Sequence, residues 1–430
     1  MHAAPPPEKQ SVSRRRRHRP QHSQRGRWEW WLAPAIVGLA WLLWTAGDAP
    51  QAGPAPQAPS LAAAAGASVM AMAAPAASHA AAGAAPFSAV AVQAREAQRE
   101  IWRQRLERAQ ATLQAYRDST RYPHESQPIA AHSDQVYPNQ PISEDLALKG
   151  ADGRAVPGVR LRTVQERVFV QGQETVRFSV SVVDEQGKPI PLRILRASAR
   201  ELPAPRTAAT HADVEMHFND EGRSGDLQAG DGVYGAQLQP ATQGFDGLLG
   251  QIRIEVHLQY RKEQGVAYFD IVYTPDAPAT WQAGVREALE DGSLNFYLKA
   301  EVREAGRYVV TGRVDDAHGK PFALLTFNDE VEAGAREIRL SLFGKLVRDG
   351  KPAFPLTLRD VDAFLLRADA FPDRKLMPRR IGPVHASQAY PLLSFADKEW
   401  TSEERDRYLA ELNRDVAESQ QQVDRLKTGP

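Results

Sequence analysis

The chain contains no cysteine, which excludes thiolate catalysis, cysteine-ligated zinc and a disulfide framework. Several enzyme motifs are also absent. There is no Gly-x-Ser-x-Gly elbow, no Gly-Lys-Ser/Thr phosphate loop, no His-Glu-x-x-His pair and no glycine series of a dinucleotide site. Net charge is absent as well, because 53 basic residues balance 53 acidic ones. These absences favour a non-enzymatic protein whose core folds without cross-links.

Charge is nevertheless unevenly distributed. Residues 1–27 contain eight basic residues and one acidic residue, a net charge of +7, so the rest of the chain carries −7. Arginine runs also occur in nucleic-acid-binding segments. Here an apolar stretch follows at once and the remaining chain is acidic, so we predict a cytoplasmic tail and no nucleic-acid partner.

The apolar stretch is 28–47, WEWWLAPAIVGLAWLLWTAG. It has no charged side chain from Trp30 to Ala46, and about 17 helical residues nearly match a hydrocarbon core of about 30 Å. Tryptophans stand at both ends, as at membrane interfaces, and the basic flank places the N-terminus inside. The pattern predicts a single-pass helix in the inner (cytoplasmic) membrane with the C-terminal domains in the periplasm. A signal peptide cleaved near Ala46 is the alternative.

Two long amphipathic helices are predicted. Residues 48–90 are mostly Ala, Pro, Gly, Ser and Gln and predict a disordered tether. Apolar residues then recur every three or four positions in 91–117 and again in 401–427. The first seam is Trp102, Leu106, Ala109, Leu113 and Tyr116, and the second is Leu409, Leu412, Val416, Ser419, Val423 and Leu426. Each helix packs either on the chain's own domains or on the other helix.

Between these helices the apolar residues alternate with polar ones, as in half-buried strands. Short alternating segments separated by turns predict two tandem immunoglobulin-like antiparallel β-sandwiches, at 158–275 and 293–371. An extended irregular segment (118–157) precedes them, a linker with a short helical turn (276–292) separates them, and a Pro/Arg-rich segment (372–400) follows. Segments 182–192 and 313–325 share an acidic turn with Gly-Lys-Pro, which predicts that the second domain repeats the first.

The most distinctive motif is the acidic loop FNDEGRSGDLQAGDGVYGA, residues 218–236. Asp220, Asp226 and Asp231 offer hard oxygen ligands, so a calcium site is one hypothesis, although the EF-hand pattern is absent. The alternative is a structural corner, in which the Tyr234 hydroxyl bonds to upstream backbone. No cofactor other than this possible calcium is expected.

Weaker candidates are histidines and tryptophans. His211, Asp213, Glu215 and His217 would share one strand face and form either a zinc site or a solvated polar face. Trp281 and Trp400 would serve as aromatic platforms for glycan, or as packing residues.

The acidic loop resembles a family of envelope-anchored bacterial proteins with tandem Ig-like domains, described as choice-of-anchor type X or by a domain of unknown function. GRYVVTGRVDDAHGKPFALL, Ile338–Lys345 and FADKEW share the resemblance, which spans about 150–425. It implies the fold and an envelope location, and no enzyme activity. We therefore predict a membrane-anchored periplasmic binding or scaffolding protein, with an envelope protein as partner. A glycan- or peptidoglycan-binding module and a metal-dependent hydrolase are the alternatives.

Overall fold

The structure is a computed structural model that describes residues 85–149, 153–204 and 206–428. All of them belong to one compact unit, Gly83–Pro430. The predicted tail (1–27), membrane helix (28–47) and nearly all of the tether (48–90) lie outside the described residues. In the part of the chain that is described, no helix combines the length and the apolar composition needed to cross a membrane.

The described chain is mainly β, with antiparallel sheets and three α-helices. The helices are α1 (Ala85–Ser119), α2 (Gly344–Gly350) and α3 (Glu403–Thr428). The strands are, in chain order, β1 (Ser126–Pro128), β2 (Ile142–Lys149), β3 (Ala155–Gln165), β4 (Phe169–Gln171), β5 (Val176–Asp184), β6 (Pro189–Ile190), β7 (Arg193–Leu202), β8 (Val214–Glu215), β9 (Tyr234–Leu238), β10 (Gly250–Tyr260), β11 (Glu263–Thr274), β12 (Ala279–Glu290), β13 (Ser293–Val302), β14 (Gly306–Asp315), β15 (Pro321–Val331), β16 (Gly334–Leu342), β17 (Thr357–Leu366), β18 (Arg374–Leu376) and β19 (Arg380–Ala386).

The first sandwich packs the sheet β2-β3-β5-β6, with β9 also on β5, against the sheet β4-β11-β10-β7-β8. Strict alternation explains this packing, since every second residue of β10 is buried and the others lie on the outer face. The strand pairs are antiparallel except for β4, which runs parallel to β11.

The second sandwich packs β12-β13-β16 against β1-β15-β14-β17-β18, with β19 also on β17. Its core extends beyond the predicted limit at residue 371, because Met377 and Phe395 are buried in it. The segment predicted as 372–400 therefore belongs largely to the second sandwich.

The predicted linker 276–292 is wrong in its secondary structure. Residues Ala279–Glu290 form β12, not a helical turn. Trp281, Val285 and Leu289 recur every fourth residue, as on a helix. In the structure they all pack on the second core, because residues four apart lie on one face of a strand as well as of a helix, and the bulge between Trp281 and Val285 leaves both on that face. Pairing with β13 therefore overrides the helical pattern.

The segment predicted as irregular, 118–157, also contains strands. Its β1 pairs with β15 in the second sandwich, and its β2 with β3 in the first. The first sandwich thus begins at about residue 142 rather than 158. The chain crosses the second sandwich before it forms the first.

A strap, residues 120–140, lies on the second sandwich and is held there by arginines. Arg313 is only 2% exposed. Its Nη1 donates to Asp362 Oδ2 (2.6 Å), and its Nε and Nη2 donate to the carbonyl and side-chain oxygens of Gln135 (3.1 and 2.8 Å). Arg359 donates to the carbonyl of Val136 (2.9 Å). The guanidinium groups thus replace the water that these strap carbonyls would otherwise bind.

Helices α1 and α3 pair with each other in antiparallel orientation. Arg105 pairs with Asp415 at 3.0 Å, and Arg405 Nε donates to Thr120 Oγ1 at 3.0 Å. The structure buries much of both predicted seams: Leu106, Ala109, Leu113, Ser419 and Val423 are at most 8% exposed. Of the two arrangements left open by the sequence, the structure shows the helices packed on each other.

The two sandwiches are joined by polar contacts at one end. Arg379 Nη2 bonds Glu174 at 2.8 Å, and the amide of Leu376 donates to Thr274 Oγ1 at 3.2 Å. The Arg374 guanidinium lies 4.9 Å from the Phe169 ring centre, a cation–π distance. These contacts link β4, the residues after it and the end of β11 in the first sandwich to β18 and the residues after it in the second.

Candidate functional site

The acidic loop lies between β8 and β9 and folds back tightly onto β9. Asn219 and Gly235 exchange backbone hydrogen bonds of 3.0 and 2.8 Å. A Cβ at Gly225, whose φ is +104°, would lie 2.2 Å from the carbonyl carbon of Ala236. Only glycine fits such an approach, which explains why the loop is rich in glycine.

The structure brings the three aspartates of the loop together. One carboxylate oxygen from each of Asp220, Asp226 and Asp231 lies within 4.8 Å of the other two. Asp226 is buried, at 7% exposure. Among the described residues, these form the one group of three or more acids or histidines close enough to share a metal ion. The donor set, three carboxylates, is of the kind that suits calcium.

The same carboxylates also accept hydrogen bonds from the loop backbone. Asp220 Oδ1 accepts from the amides of Gly230 (2.7 Å) and Asp231 (3.1 Å), and its Oδ2 from Gly232 (3.0 Å). Asp226 Oδ2 accepts from Gly222 at 2.5 Å. The carboxylates therefore organise the loop by themselves, and calcium binding stays a prediction.

Tyr234 has the contact expected of the structural alternative. It is the first residue of β9, and its hydroxyl donates to the carbonyl of Leu192 at 2.7 Å. Burial raises the pKa of the phenol, and the charge of Asp220 raises it further. The hydroxyl stays protonated at neutral pH and ties the exit of the acidic loop to the segment before β7.

The proposed zinc face does not form. Only Val214 and Glu215 of that stretch are in a strand, so His211, Asp213 and His217 do not share its face. His211 Nδ1 instead contacts Glu201 Oε2 at 2.9 Å, and its Nε2 contacts the carbonyl of Asp246 at 3.2 Å. The bond to Glu201 raises the pKa of His211. This histidine links the loop after β7 to the loop before β10.

Of the two tryptophans considered as glycan platforms, Trp281 is packed on the second core. Trp281 Nε1 donates to the carbonyl of Pro378 at 2.8 Å, and the Arg380 guanidinium lies 5.4 Å from its ring centre. The amide of Trp400 donates to the carbonyl of Arg121 at 3.1 Å, and its side chain is half-buried.

Sequence reasoning missed the buried arginines beneath the strap. Arg313 occupies the face of β14 opposite the core residues Val310 and Val314, where alternation predicts a solvated side chain. Burial raises the pKa of Asp362 even though Arg313 opposes the shift. No sequence signal shows that the strap covers this face.

Comparisons with known proteins define no family. No protein-family model and no curated protein matches the chain. A solved DUF4785-family protein from Legionella pneumophila is 13% identical over 53% of this chain, with a TM-score of 0.35. The chain spans 57% of that protein's length. The adhesin InvE of Yersinia pseudotuberculosis is 12% identical over 51% of this chain and 58% of its own, with a TM-score of 0.18. The E. coli alpha-2-macroglobulin is 13% identical over 56% of this chain and 15% of its own, at 0.26. These comparisons give the resemblance to choice-of-anchor type X no support, so it stays a prediction.

Proposed function

We propose that this protein is a non-enzymatic scaffold of the bacterial cell envelope, anchored in the inner membrane through 28–47, which presents two immunoglobulin-like sandwiches to a protein partner in the periplasm. The observation that carries the proposal is the attachment of α1. This helix begins at the C-terminal end of the predicted tether, is packed along α3, and continues into the strap. An anchor at its N-terminal side would therefore hold the second sandwich through the tether and this helix.

The strand arrangement supports the immunoglobulin-like assignment. In that fold, strands B and E share one sheet, whereas C, F and G form the other. In the first sandwich, β5 and β9 pair in one sheet and β7, β10 and β11 are neighbours in the other. In the second, β13 pairs with β16, whereas β14 pairs with β17, which pairs with β18 and β19.

The polar groups support scaffolding over catalysis. The buried charged groups of the second sandwich join the strap to β14 and β17, and those at the junction join the two sandwiches. Glu287, whose side chain is 7% exposed, bonds His385, Gln388 and Tyr390 and so joins β12 to β19 and the segment after it. These groups position segments of the chain relative to one another.

Reporter fusions test the topology. Alkaline phosphatase, which is active only outside the cytoplasm, should be active when fused after Val90. It should be inactive in a matched fusion after Gln24, inside the basic tail. An inactive fusion at Val90 would reverse the orientation. A mature N-terminus beyond Ala46 would replace the anchor with a signal peptide.

A crosslinking experiment tests the scaffold role. A photo-crosslinking residue in place of exposed Leu227 or Leu393 in the full chain should trap a defined envelope protein in cells. The same residue in place of buried Phe296 should not. Turnover of ester, peptide or glycoside substrates by the purified full chain would contradict the non-enzymatic assignment.

A further inference from the structure

The outer face of β7, β10 and β11 in the first sandwich is unusual in composition. Its outward residues include an exposed tyrosine, four arginines and three glutamines, and no lysine. They are Arg193, Arg196, Ser198, Arg200, Leu202, Gln251, Arg253, Glu255, His257, Gln259, Gln264, Val266, Tyr268, Asp270 and Val272. We call this surface the tyrosine face. Tyrosine and arginine are the residues most enriched where proteins bind partners, whereas lysine is depleted there.

Tyr268 stands at the centre of β11 on this face. It is 53% exposed, and neighbouring Val266 is 37% exposed. The guanidinium of Arg253 lies 5.4 Å from the ring centre and is itself held by Asp270 through two bonds of 2.8 and 2.7 Å. The ring is therefore oriented by a bidentate ion pair, while about half of its surface stays open to a ligand.

Two arginines of β7, Arg196 and Arg200, keep much of their hydrogen-bonding capacity. A guanidinium has five N–H donors. Among the described residues, Arg200 has one long contact, Nη2 to Glu255 at 3.5 Å, and its side chain is 43% exposed, although its Nε is buried. Arg196 has one contact, Nη2 to His257 at 3.3 Å. Both arginines therefore keep donors that an anion can reach.

The spacing of these groups suits an extended ligand. In register, Tyr268 lies opposite Glu255, which lies opposite Ser198, midway between Arg196 and Arg200 on β7. With strands about 4.8 Å apart and about 3.3 Å per residue, each arginine lies about 12 Å from Tyr268. That is roughly the length of two or three sugar units. Planar amides at Gln259 and Gln264, opposite each other in register, extend the face.

We propose that the tyrosine face binds a saccharide chain that carries carboxylate groups. The hydrophobic side of one sugar ring stacks on Tyr268, and Arg200 binds the carboxylate of a sugar further along the chain. A flat, open surface accommodates a polymer along its length. This inference rests on the proposed exterior location, because such polymers surround the envelope, and it moves the glycan alternative from Trp281 and Trp400 to the first sandwich.

Binding of the full-length protein in detergent to a fluorescently labelled galacturonate hexamer tests the proposal. Tyr268→Ala and Arg200→Gln should each weaken binding at least about tenfold, the loss expected at a binding hot spot. Two matched controls should change it less than about twofold. Phe371→Ala removes an aromatic side chain of similar exposure, 51%, from the second sandwich. Arg177→Gln removes an arginine with a similar 3.4 Å ion pair from the opposite sheet.

Four results would overturn the proposal. These are no binding of the hexamer, equal binding of a neutral cellohexaose, equal binding of polyglutamate, and unchanged binding by both variants. The neutral sugar tests the need for carboxylates, and polyglutamate tests the need for sugar. If circular dichroism shows that Tyr268→Ala is unfolded, Arg200→Gln, which changes a surface side chain, provides the test instead. The binding measurement uses purified protein, so a negative result counts against the saccharide site alone. The predicted membrane topology is tested separately by the reporter fusions.

Discussion

The two sandwiches bury their polar groups for different purposes. In the first, Tyr234, Glu201 and the aspartates of the acidic loop bond to backbone or side chains within the same sandwich. In the second, Arg313 and Arg359 bond to a strap that comes from 170 to 230 residues away in sequence. The first sandwich is thus self-contained, whereas the second is completed by a distant segment.

A repeated turn sharpens this comparison. Asp184 Oδ1 accepts from the amides of Gln186 and Lys188, and Asp316 Oδ1 accepts from those of His318 and Lys320, all at 2.8 to 3.0 Å. The local structure is the same. Yet the first turn follows β5, which pairs with β9, and the second follows β14, which pairs with β17 in the opposite type of sheet. The two segments therefore share the hydrogen bonding of a turn, but the turns occupy different positions in the two sandwiches.

The largest effect is expected from breaking the attachment of the strap. Arg313→Met leaves Asp362 and the oxygens of Gln135 without their buried partner, so the second sandwich should lose about 3 to 5 kcal/mol of unfolding free energy. Hydrogen exchange at β14 and β15 would measure it. Arg103→Met is the control, because its side chain is 60% exposed and solvent screens its pair with Glu100. A loss below about 1 kcal/mol for Arg313→Met would show that the strap is not held by this network.

The acidic loop of the first sandwich offers the next test. The calcium hypothesis predicts stabilisation of about 2.7 kcal/mol at a hundredfold excess of calcium over its Kd, seen as a melting shift that chelator reverses. Asp226→Asn should abolish the shift, and Glu221→Gln, which lies outside the cluster, should retain it. If the loop is held by hydrogen bonds alone and binds no metal, calcium should leave the melting temperature unchanged. That outcome would remove the metal hypothesis.

Tyr234→Phe should destabilise the first sandwich by about 1 to 3 kcal/mol, because the buried carbonyl of Leu192 loses its donor. Denaturant unfolding of the full chain, followed at β9 by hydrogen exchange, would measure the loss. Tyr260→Phe is the matched control: Tyr260 is 4% exposed and its hydroxyl has no protein partner among the described residues. Equal effects of both variants would contradict a role for the Tyr234 hydroxyl.

The smallest effect concerns pH. The pKa of His211 is raised by Glu201, so its contribution is complete below the unfolded value of about 6.5 and is lost as the pH rises through the folded value. Burial opposes ionisation of Glu201, but its hydrogen bonds lower its pKa overall, so its contribution is lost in acid. The stability difference between wild type and His211→Gln should be about 1 kcal/mol near pH 5.5 and shrink toward pH 8. Exposed His217→Gln is the control variant. A flat difference for His211→Gln would disprove the coupling.

Much of the fold follows from local patterns. The alternating segments Val176–Val182 and Ile252–Tyr260 lie in strands, and the seams of α1 and α3 are largely buried. The three aspartates converge as their glycine-rich loop suggests. In each case a period of 2 or 3.6, or a residue that needs special backbone angles, is encoded in neighbouring residues.

The sequence by itself determined the secondary-structure periods, the turns and the chemistry of the acidic loop, because these depend on residues close together in the chain. Only the tertiary structure decided the rest. Residues 279–290 became a strand because β13 supplies hydrogen bonds to an edge. Arg313 became buried because the strap covers it, and the tyrosine face appeared because three strands distant in sequence lie side by side. Which segments pair depends on the joint burial of hydrophobic residues that are far apart in the sequence. No pattern among neighbouring residues indicates it.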